Sequence, residues 1–220
     1  GTDSLRDKFG FFYQENDEFE DACDIGEVET EIRAQVARAV ALGLTPSHLD
    51  NHMGSLYGLN GNYEVMPKTL EVCGELGYAF RMFRKIRDQD VPSDFPDGVP
   101  IDVARMIVNG YAACADENKV PLIDYLLFPE WTEETKSDYN IYREYILERL
   151  SGIDQGITET FIHPSLESDE LKGITALWRT RVWEHKLFSD PATRQHLESK
   201  GITYINYHDV VRMRKAENNE

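Results

Sequence analysis

Residues 46–58 read Pro-Ser-His-Leu-Asp-Asn-His-Met-Gly-Ser-Leu-Tyr-Gly and place His48, Asp50 and His52 at alternate positions after a Gly/Pro turn. In a β-strand, successive side chains point to opposite faces, so alternate residues share one face. We therefore predict a strand over about 46–52 that presents two imidazoles and one carboxylate on the same side. Such a set is typical of a site for a divalent metal ion and an activated water.

The segments on either side of this stretch alternate between helical and extended patterns. Valine or isoleucine recurs at every fourth position from Val28 to Val40, which predicts a helix over about 27–42, and Asp24 with Glu27 has the spacing of a capping box. Strands that alternate with helices indicate a parallel α/β architecture in one domain, with a Pro-rich loop at 88–100. The other predicted helices cover about 63–76, 101–117, 138–151, 174–188 and 191–200, and the other predicted strands cover 78–83, 122–128, 157–163 and 202–206.

The composition is that of a globular chain with a strong negative charge. Of its 220 residues, 41% are hydrophobic, and 40 acidic against 23 basic residues give a net charge of −17. That balance argues against nucleic acid or an anionic membrane surface as a partner. The three cysteines form no CxxC pair, so the sequence holds no zinc knuckle. Because the chain shows neither an apolar run of transmembrane length nor a signal peptide, we expect a cytoplasmic protein.

Chemically capable side chains occur on three of the predicted strands. They are the cluster from His48 to His52, Arg81, and His163 at the end of its strand. Since ligands bind at the carboxyl ends of parallel strands in α/β folds, we expect these groups to belong to one site. A buried Arg81 needs either a protein carboxylate or a polar substrate as its partner, and the sequence leaves both open. The remaining histidines are expected to be structural or on the surface: His185, His196 and His208.

Four segments of the chain together resemble a known family. Thr45–Gly54 is similar to the "(R/K)PTHLDSHMG" signature of the YdjC-like carbohydrate deacetylases. Ser4–Phe12 resembles the family's "SLxDxxGxF" stretch. Glu159–Pro164 resembles its "E(I/L)xxHPG" segment, with Ser165 in place of the usual Gly. Because the segment Arg181–Asp209 also resembles the family's C-terminal pattern, which begins "R-x-x-E", the resemblance covers essentially the whole chain.

The resemblance implies a distorted (β/α) barrel of the polysaccharide-deacetylase type, as one domain over residues 1–220. It also implies a hydrolase that removes acetyl groups from N-acetylated sugars or oligosaccharides with a divalent metal ion, Mg²⁺ or Zn²⁺. The family motif makes His52 a metal ligand. Two other ligand segments of the family, "ADDFG" and "GxHLTL", have no counterpart here. We therefore expect a chain that is partial at its N-terminus and that binds metal loosely by itself.

For this reaction we expect catalytic roles for His163, Asp50 and His48, and a substrate-binding role for Arg81. His163 would protonate the departing amine or stabilise the tetrahedral intermediate, while Asp50 would orient a histidine. The expected partner is a carbohydrate substrate, with homodimer formation left open. Two alternatives also stay open: another metal-dependent barrel hydrolase or isomerase acting on sugars, and a non-catalytic carbohydrate-binding protein.

Overall fold

The computed structural model describes residues 1–88 and 100–217 and shows a mixed α/β protein that is mostly helical, with short parallel strands. In the described residues, no helix has both the length and the apolar composition needed to cross a membrane. The helices are α1 (Asn16–Ala22), α2 (Ile25–Ala41), α3 (Val65–Leu76), α4 (Ile101–Glu117), α5 (Tyr139–Ser151), α6 (Asp169–Ile174), α7 (Trp178–Ser189), α8 (Pro191–Ser199) and α9 (Tyr207–Glu217). The strands are β1 (His48–Leu49), β2 (Ala79–Phe80), β3 (Tyr125–Leu127) and β4 (Thr158–Thr160).

The chain divides into two compact units. Of the described residues, unit 1 holds 1–86, 100–124 and 206–217, and unit 2 holds 87–88 and 125–205. The prediction of one domain over the whole chain stays a prediction.

Unit 1 is built around the parallel pair of β1 and β2, in which His48 lies opposite Ala79 and Leu49 opposite Phe80. Parallel strands require a crossover, and α3 supplies it here. One face of α3 packs into a core with β2 and α4, and Gly77 ends the helix in the left-handed conformation. The buried side chains of this core include Met66, Leu70, Phe80, Val108 and Leu122.

Unit 2 repeats this arrangement with β3 and β4, which pair in parallel from Tyr125 opposite Thr158 to Leu127 opposite Thr160. The crossover is α5, whose first turn is capped by Asp138. The core between α5, α7 and α8 contains the almost fully buried ring of Tyr142 and the side chain of Leu187.

Several helices agree closely with the sequence-based expectations. The structure places α2, α4 and α5 within one or two residues of the predicted bounds. The Asp24 side chain accepts a hydrogen bond from the backbone N–H of Glu27 at 3.1 Å, as the capping-box spacing predicts. Periodic burial of Val28 and Val36 explains why the pattern identified α2.

The strands are shorter than predicted, and this changes the geometry at the end of β1. The strand predicted over 46–52 is limited to His48–Leu49, and His52 begins a 3-10 turn that ends at Gly54. The expectation that His48, Asp50 and His52 share one face of a single strand is therefore wrong. The physical reason is that β2 offers only two residues for pairing, so the chain is free to turn after Leu49.

Three other expectations need correction or lie outside the structure. Residues 202–206 form no strand within the described chain and lead into α9, which was not predicted. The helix predicted over 174–188 is interrupted, since α6 ends at Ile174 and α7 begins at Trp178. Residues 89–99 of the predicted loop lie outside the described residues.

Candidate functional site

His48 is the first residue of β1, and its imidazole is half-buried and held on two sides. Its ring stacks on the ring of Tyr207 with centroids 3.7 Å apart and planes 8° from parallel. Its Nδ1 lies 3.0 Å from the hydroxyl of Ser47. Burial lowers the pKa of His48 below its ordinary value, although the Asp50 carboxylate opposes this effect. The neutral imidazole is therefore the favoured form near neutral pH, and it can both donate and accept a hydrogen bond.

Asp50 forms an ion pair with Arg81, the first residue after β2. Arg81 Nη1 lies 3.0 Å from Asp50 Oδ2, and the backbone N–H of Arg81 donates to the carbonyl of Leu49 at 2.9 Å. The Arg81 side chain is 16% exposed and that of Asp50 is 40% exposed. A protein carboxylate was one of the two partners that the sequence left open for Arg81. Contact between Arg81 and a substrate stays a prediction.

The exposed residue His52 lies on a turn whose backbone is unusual. Met53 has φ 55° and ψ 20°, a left-handed conformation that costs a non-glycine residue about 1 kcal/mol. The side-chain amide of Asn16 donates to the carbonyl of Met53 at 2.8 Å and so connects α1 to this turn. Strained backbone of this kind is concentrated at functional sites, which makes the turn a reasonable place for a ligand-binding residue.

The Gly-rich loop after this turn is organised by a buried carboxylate. Glu20 is 3% exposed and accepts hydrogen bonds from the backbone N–H of Asn60 at 2.7 Å and that of Asn62 at 3.2 Å. The Asn60 side chain donates to the same carboxylate at 3.0 Å. Gly58 has φ 63°, and a Cβ there would lie 2.5 Å from the carbonyl oxygen of Asn62. These donors of the loop are therefore satisfied within the protein.

His163 lies in unit 2, on the segment that follows β4. Its imidazole is exposed, while its backbone N–H donates to Glu184 Oε2 at 2.9 Å. Glu184 is 3% exposed on α7, and burial raises its pKa, opposed by the His163 N–H and by Arg181. The N–H of Ser165 also donates to the carbonyl of Arg181 at 3.1 Å. Two residues of α7, Arg181 and Glu184, therefore fix the main chain on both sides of Pro164.

The structure thus brings His48, Asp50 and Arg81 together at the end of the first strand pair and places His163 after the second. That all of these residues belong to one site stays a prediction. The sequence-based reasoning missed Glu20, Glu184 and Tyr207. Glu184 is the Glu of the "R-x-x-E" pattern that begins at Arg181, and this was the available signal for it.

A divalent metal ion requires several ligands at one point, and the described residues do not supply them. Within 1–88 and 100–217, no three His, Cys, Asp or Glu side chains form a group that could hold a metal ion. The oxygens of Asp50 accept hydrogen bonds from Arg81 and from the N–H of Asn51, and the 3-10 turn takes His52 out of the strand. These residues alone therefore do not fit a complete metal centre.

The two strand pairs are parallel, and each is joined by a helix, which defines an α/β protein. In proteins of this class, ligands bind at the carboxyl ends of the strands. The family model described as YdjC-like protein matches residues 1–199, so the chain belongs to the YdjC-like family.

The chain also has distant relatives named carbohydrate deacetylase. The protein of Thermoanaerobacter pseudethanolicus is 22% identical over 206 residues, which cover 94% of this chain and 69% of that protein. The protein of Listeria welshimeri is 25% identical over 69% of this chain, and that of Geobacillus stearothermophilus is 22% identical over 86%. This chain spans 62% and 61% of the lengths of those two relatives.

A solved structure has a similar fold. The crystal structure of a candidate cellobiose-phosphate cleavage protein of Enterococcus faecalis matches with a TM-score of 0.66 and 18% sequence identity. The match covers 95% of this chain and 69% of that one. At this level of identity the similarity concerns the fold alone.

Proposed function

We propose that this protein is a carbohydrate deacetylase, a hydrolase that removes acetyl groups from N-acetylated sugars or oligosaccharides. The observation that carries the proposal is the similarity to a carbohydrate deacetylase over 94% of the chain. The polar groups at the end of β1 support it, since His48 and the Asp50–Arg81 pair are held by defined contacts.

Hydrolysis of an acetamide adds water to the carbonyl carbon, breaks the C–N bond, and yields acetate and a free sugar amine. The departing nitrogen must gain a proton, and the negative oxygen of the tetrahedral intermediate must be stabilised. We assign proton donation, or stabilisation of that oxygen, to His163. Its exposed imidazole can reach a substrate while Glu184 holds its main chain in place.

The other polar groups would bind and orient the sugar. His48 is favoured as a neutral ring that can exchange hydrogen bonds with substrate hydroxyl groups or with the attacking water. Asp50 keeps a carboxylate at the edge of the site, held by Arg81 at 3.0 Å. We propose that the guanidinium of Arg81, which is suited to planar hydrogen bonding, contacts the sugar.

We further propose that His52 is one ligand of a divalent ion, Mg²⁺ or Zn²⁺. Bound in such a site, the ion would polarise the acetyl carbonyl and lower the pKa of its water. His52 is exposed at the turn after β1 and is the motif histidine that the family resemblance makes a ligand. The remaining ligands would have to join it from outside the group formed by Asp50 and Arg81.

We also propose that the fold is a distorted (β/α) barrel. Both strand pairs are parallel and each is connected through a helix, as in barrels of alternating strands and helices. In unit 1, a parallel bridge between Phe83 and Ile123 continues this pattern beyond the two strands of its sheet.

Acetate release tests this function. The full-length protein should release acetate from N-acetylated oligosaccharides, a chelator should suppress the release, and added Mg²⁺ or Zn²⁺ should restore it. His52→Ala should lower the rate by at least about 100-fold, because a metal site with three protein ligands tolerates the loss of one poorly. His196→Ala removes an exposed imidazole on α8 and serves as the matched control.

Acetate release at the wild-type rate by His52→Ala would contradict the metal-ligand role. Sugar binding that is indifferent to the chelator, with no acetate from any tested sugar, would contradict the deacetylase. That result would favour a carbohydrate-binding protein.

A further inference from the structure

Helix α9 begins against the candidate site. Tyr207, its first residue, stacks on His48 with ring centroids 3.7 Å apart and planes 8° from parallel. The two residues are far apart in sequence, and Tyr207 lies beyond residues 1–199 that match the family model. Tyr207 lies within the segment Arg181–Asp209 that resembles the family's C-terminal pattern, but that resemblance assigns no role to Tyr207 or to its contact with His48.

The start of α9 is fixed by a reciprocal cap. The side-chain oxygen of Asn206 accepts hydrogen bonds from the N–H groups of His208 at 2.9 Å and Asp209 at 3.3 Å. Asp209 Oδ2 in turn accepts from the N–H of Asn206 at 3.0 Å. This exchange satisfies donors that a helix start otherwise leaves unpaired. Tyr207 follows the cap directly, so its backbone position is well defined.

The rest of α9 is held to unit 1 by Arg214. Its Nε donates to the carbonyl of Leu122 at 2.9 Å, and its Nη2 lies 2.8 Å from Asp124 Oδ1. The side chains of Arg214 and Asp124 are 14% and 12% exposed, so water screens this ion pair weakly. Val210, between Tyr207 and Arg214, is 3% exposed. Helix α9 is thus held to the rest of unit 1 at Tyr207 and at Arg214.

We propose that Tyr207 is a positioning residue, whose ring fixes the orientation of the His48 imidazole for acetamide hydrolysis. This inference rests on the proposed function. The stack restrains the plane of the imidazole, and Ser47 approaches its Nδ1 from the edge at 3.0 Å. Contact between the two ring faces leaves the imidazole little room to tilt, so the stack favours one orientation of its plane.

The test compares Tyr207→Leu and Tyr207→Phe with wild type in the full chain. Proton–carbon NMR of the histidine rings should show the His48 ring protons displaced upfield by the Tyr207 ring. Leu should abolish that displacement and lower kcat for acetate release about tenfold, with KM within about twofold, since a misplaced catalytic group chiefly slows the bound reaction. Phe keeps an aromatic ring at this position and should restore both the shift and most of kcat.

Tyr204→Leu is the matched control, because it makes the same substitution at a tyrosine that is 44% exposed. It should leave the His48 shift and kcat as in wild type. If Tyr207→Leu lowers the unfolding midpoint too far for the assay, Tyr207→Met replaces it and removes the ring while keeping a long apolar side chain.

The outcomes separate the two claims. Wild-type acetate release with an unchanged kcat in Tyr207→Leu would overturn the positioning role and leave the deacetylase intact. No acetate release by wild type would overturn the proposed function, and the His48 shift would then decide whether Tyr207 orients the ring. A His48 signal that is the same in all variants would overturn the inference whatever the activity.

Discussion

One histidine lies in the first strand pair and another follows the second, and the protein holds these two histidines in different ways. After β1 starts, the ring of His48 is half-buried and restrained through its side chain by Tyr207 and Ser47. After β4, the ring of His163 is exposed and meets the ring of Phe161 edge-on at 5.7 Å, while its main chain is held by the buried carboxylate of Glu184. The first arrangement stacks a half-buried ring on a second ring, whereas the second fixes a main-chain segment and leaves the ring exposed to solvent.

This difference suits the two roles that we propose. A group that orients substrate or water benefits from a restrained ring, because its hydrogen bonds are then preorganised. A group that donates a proton to a departing amine must follow a changing geometry, and an exposed ring on a fixed main chain can do so. We therefore expect different effects from substitutions in the parts of the protein that support His48 and His163.

Gly74→Ala should cause the largest loss of stability, in the unit that contains His48. Gly74 lies on α3, and a Cβ there would overlap the carbonyl oxygen of Asn118, which is backbone and cannot rotate away. We expect a loss of about 3 kcal/mol in the free energy of unfolding, measured by urea denaturation, despite the better helix propensity of alanine. Gly110→Ala on α4 is the control, since a Cβ there meets nothing within 4 Å and should stabilise by about 0.5–1 kcal/mol. Equal effects of the two substitutions would contradict the packing of α3.

Arg214→Met should loosen α9 and with it the stack on His48. It removes the contacts with Leu122 and Asp124 in a poorly exposed place while keeping an apolar stem. We expect a loss of about 2 kcal/mol in urea denaturation. Arg212→Met removes a comparable pair with Asp209, but Arg212 is 74% exposed, and its loss should be below about 0.5 kcal/mol. A neutral Arg214→Met would show that α9 does not depend on this anchor.

Glu184→Gln should change how the free energy of unfolding depends on pH, through the residue that holds the main chain of His163. Burial raises the pKa of Glu184 above its ordinary 4.5, so the folded state binds a proton that the unfolded state releases more easily. The resulting stability is fully present below pH 4.5 and is lost as pH rises through the higher pKa of the folded state. Urea denaturation across this range should show wild type losing stability relative to Glu184→Gln, whose amide oxygen can still accept the His163 N–H. A constant difference at all pH values would contradict the raised pKa.

The sequence predicted the helices better than the strands, for a local reason. The apolar spacing of Val28 and Val36 and the cap at Asp24 are contained within or next to α2, so a short window of sequence reveals them. A strand ends where its partner ends, and the two-residue length of β2 is not visible in residues 46–52. The same dependence explains the strand wrongly expected at 202–206.

The candidate site shows the same division. The motif around His48, Asp50 and His52 was evident because its residues are adjacent in the chain. Tyr207 was missed because it meets His48 only through the packing of α9, a mostly polar helix whose one fully buried residue is Val210. Glu184 was missed although it is the Glu of the "R-x-x-E" pattern, because that pattern does not reveal that this charged helical residue is 3% exposed.

The measurement that bears most directly on the proposed deacetylase is the joint yield of acetate and free amine from an N-acetylated oligosaccharide incubated with the purified full-length protein. Amide hydrolysis should produce the two in equal amounts, with the length of the oligosaccharide unchanged. Shortened oligosaccharide without acetate, or no product from any N-acetylated sugar, would contradict a carbohydrate deacetylase.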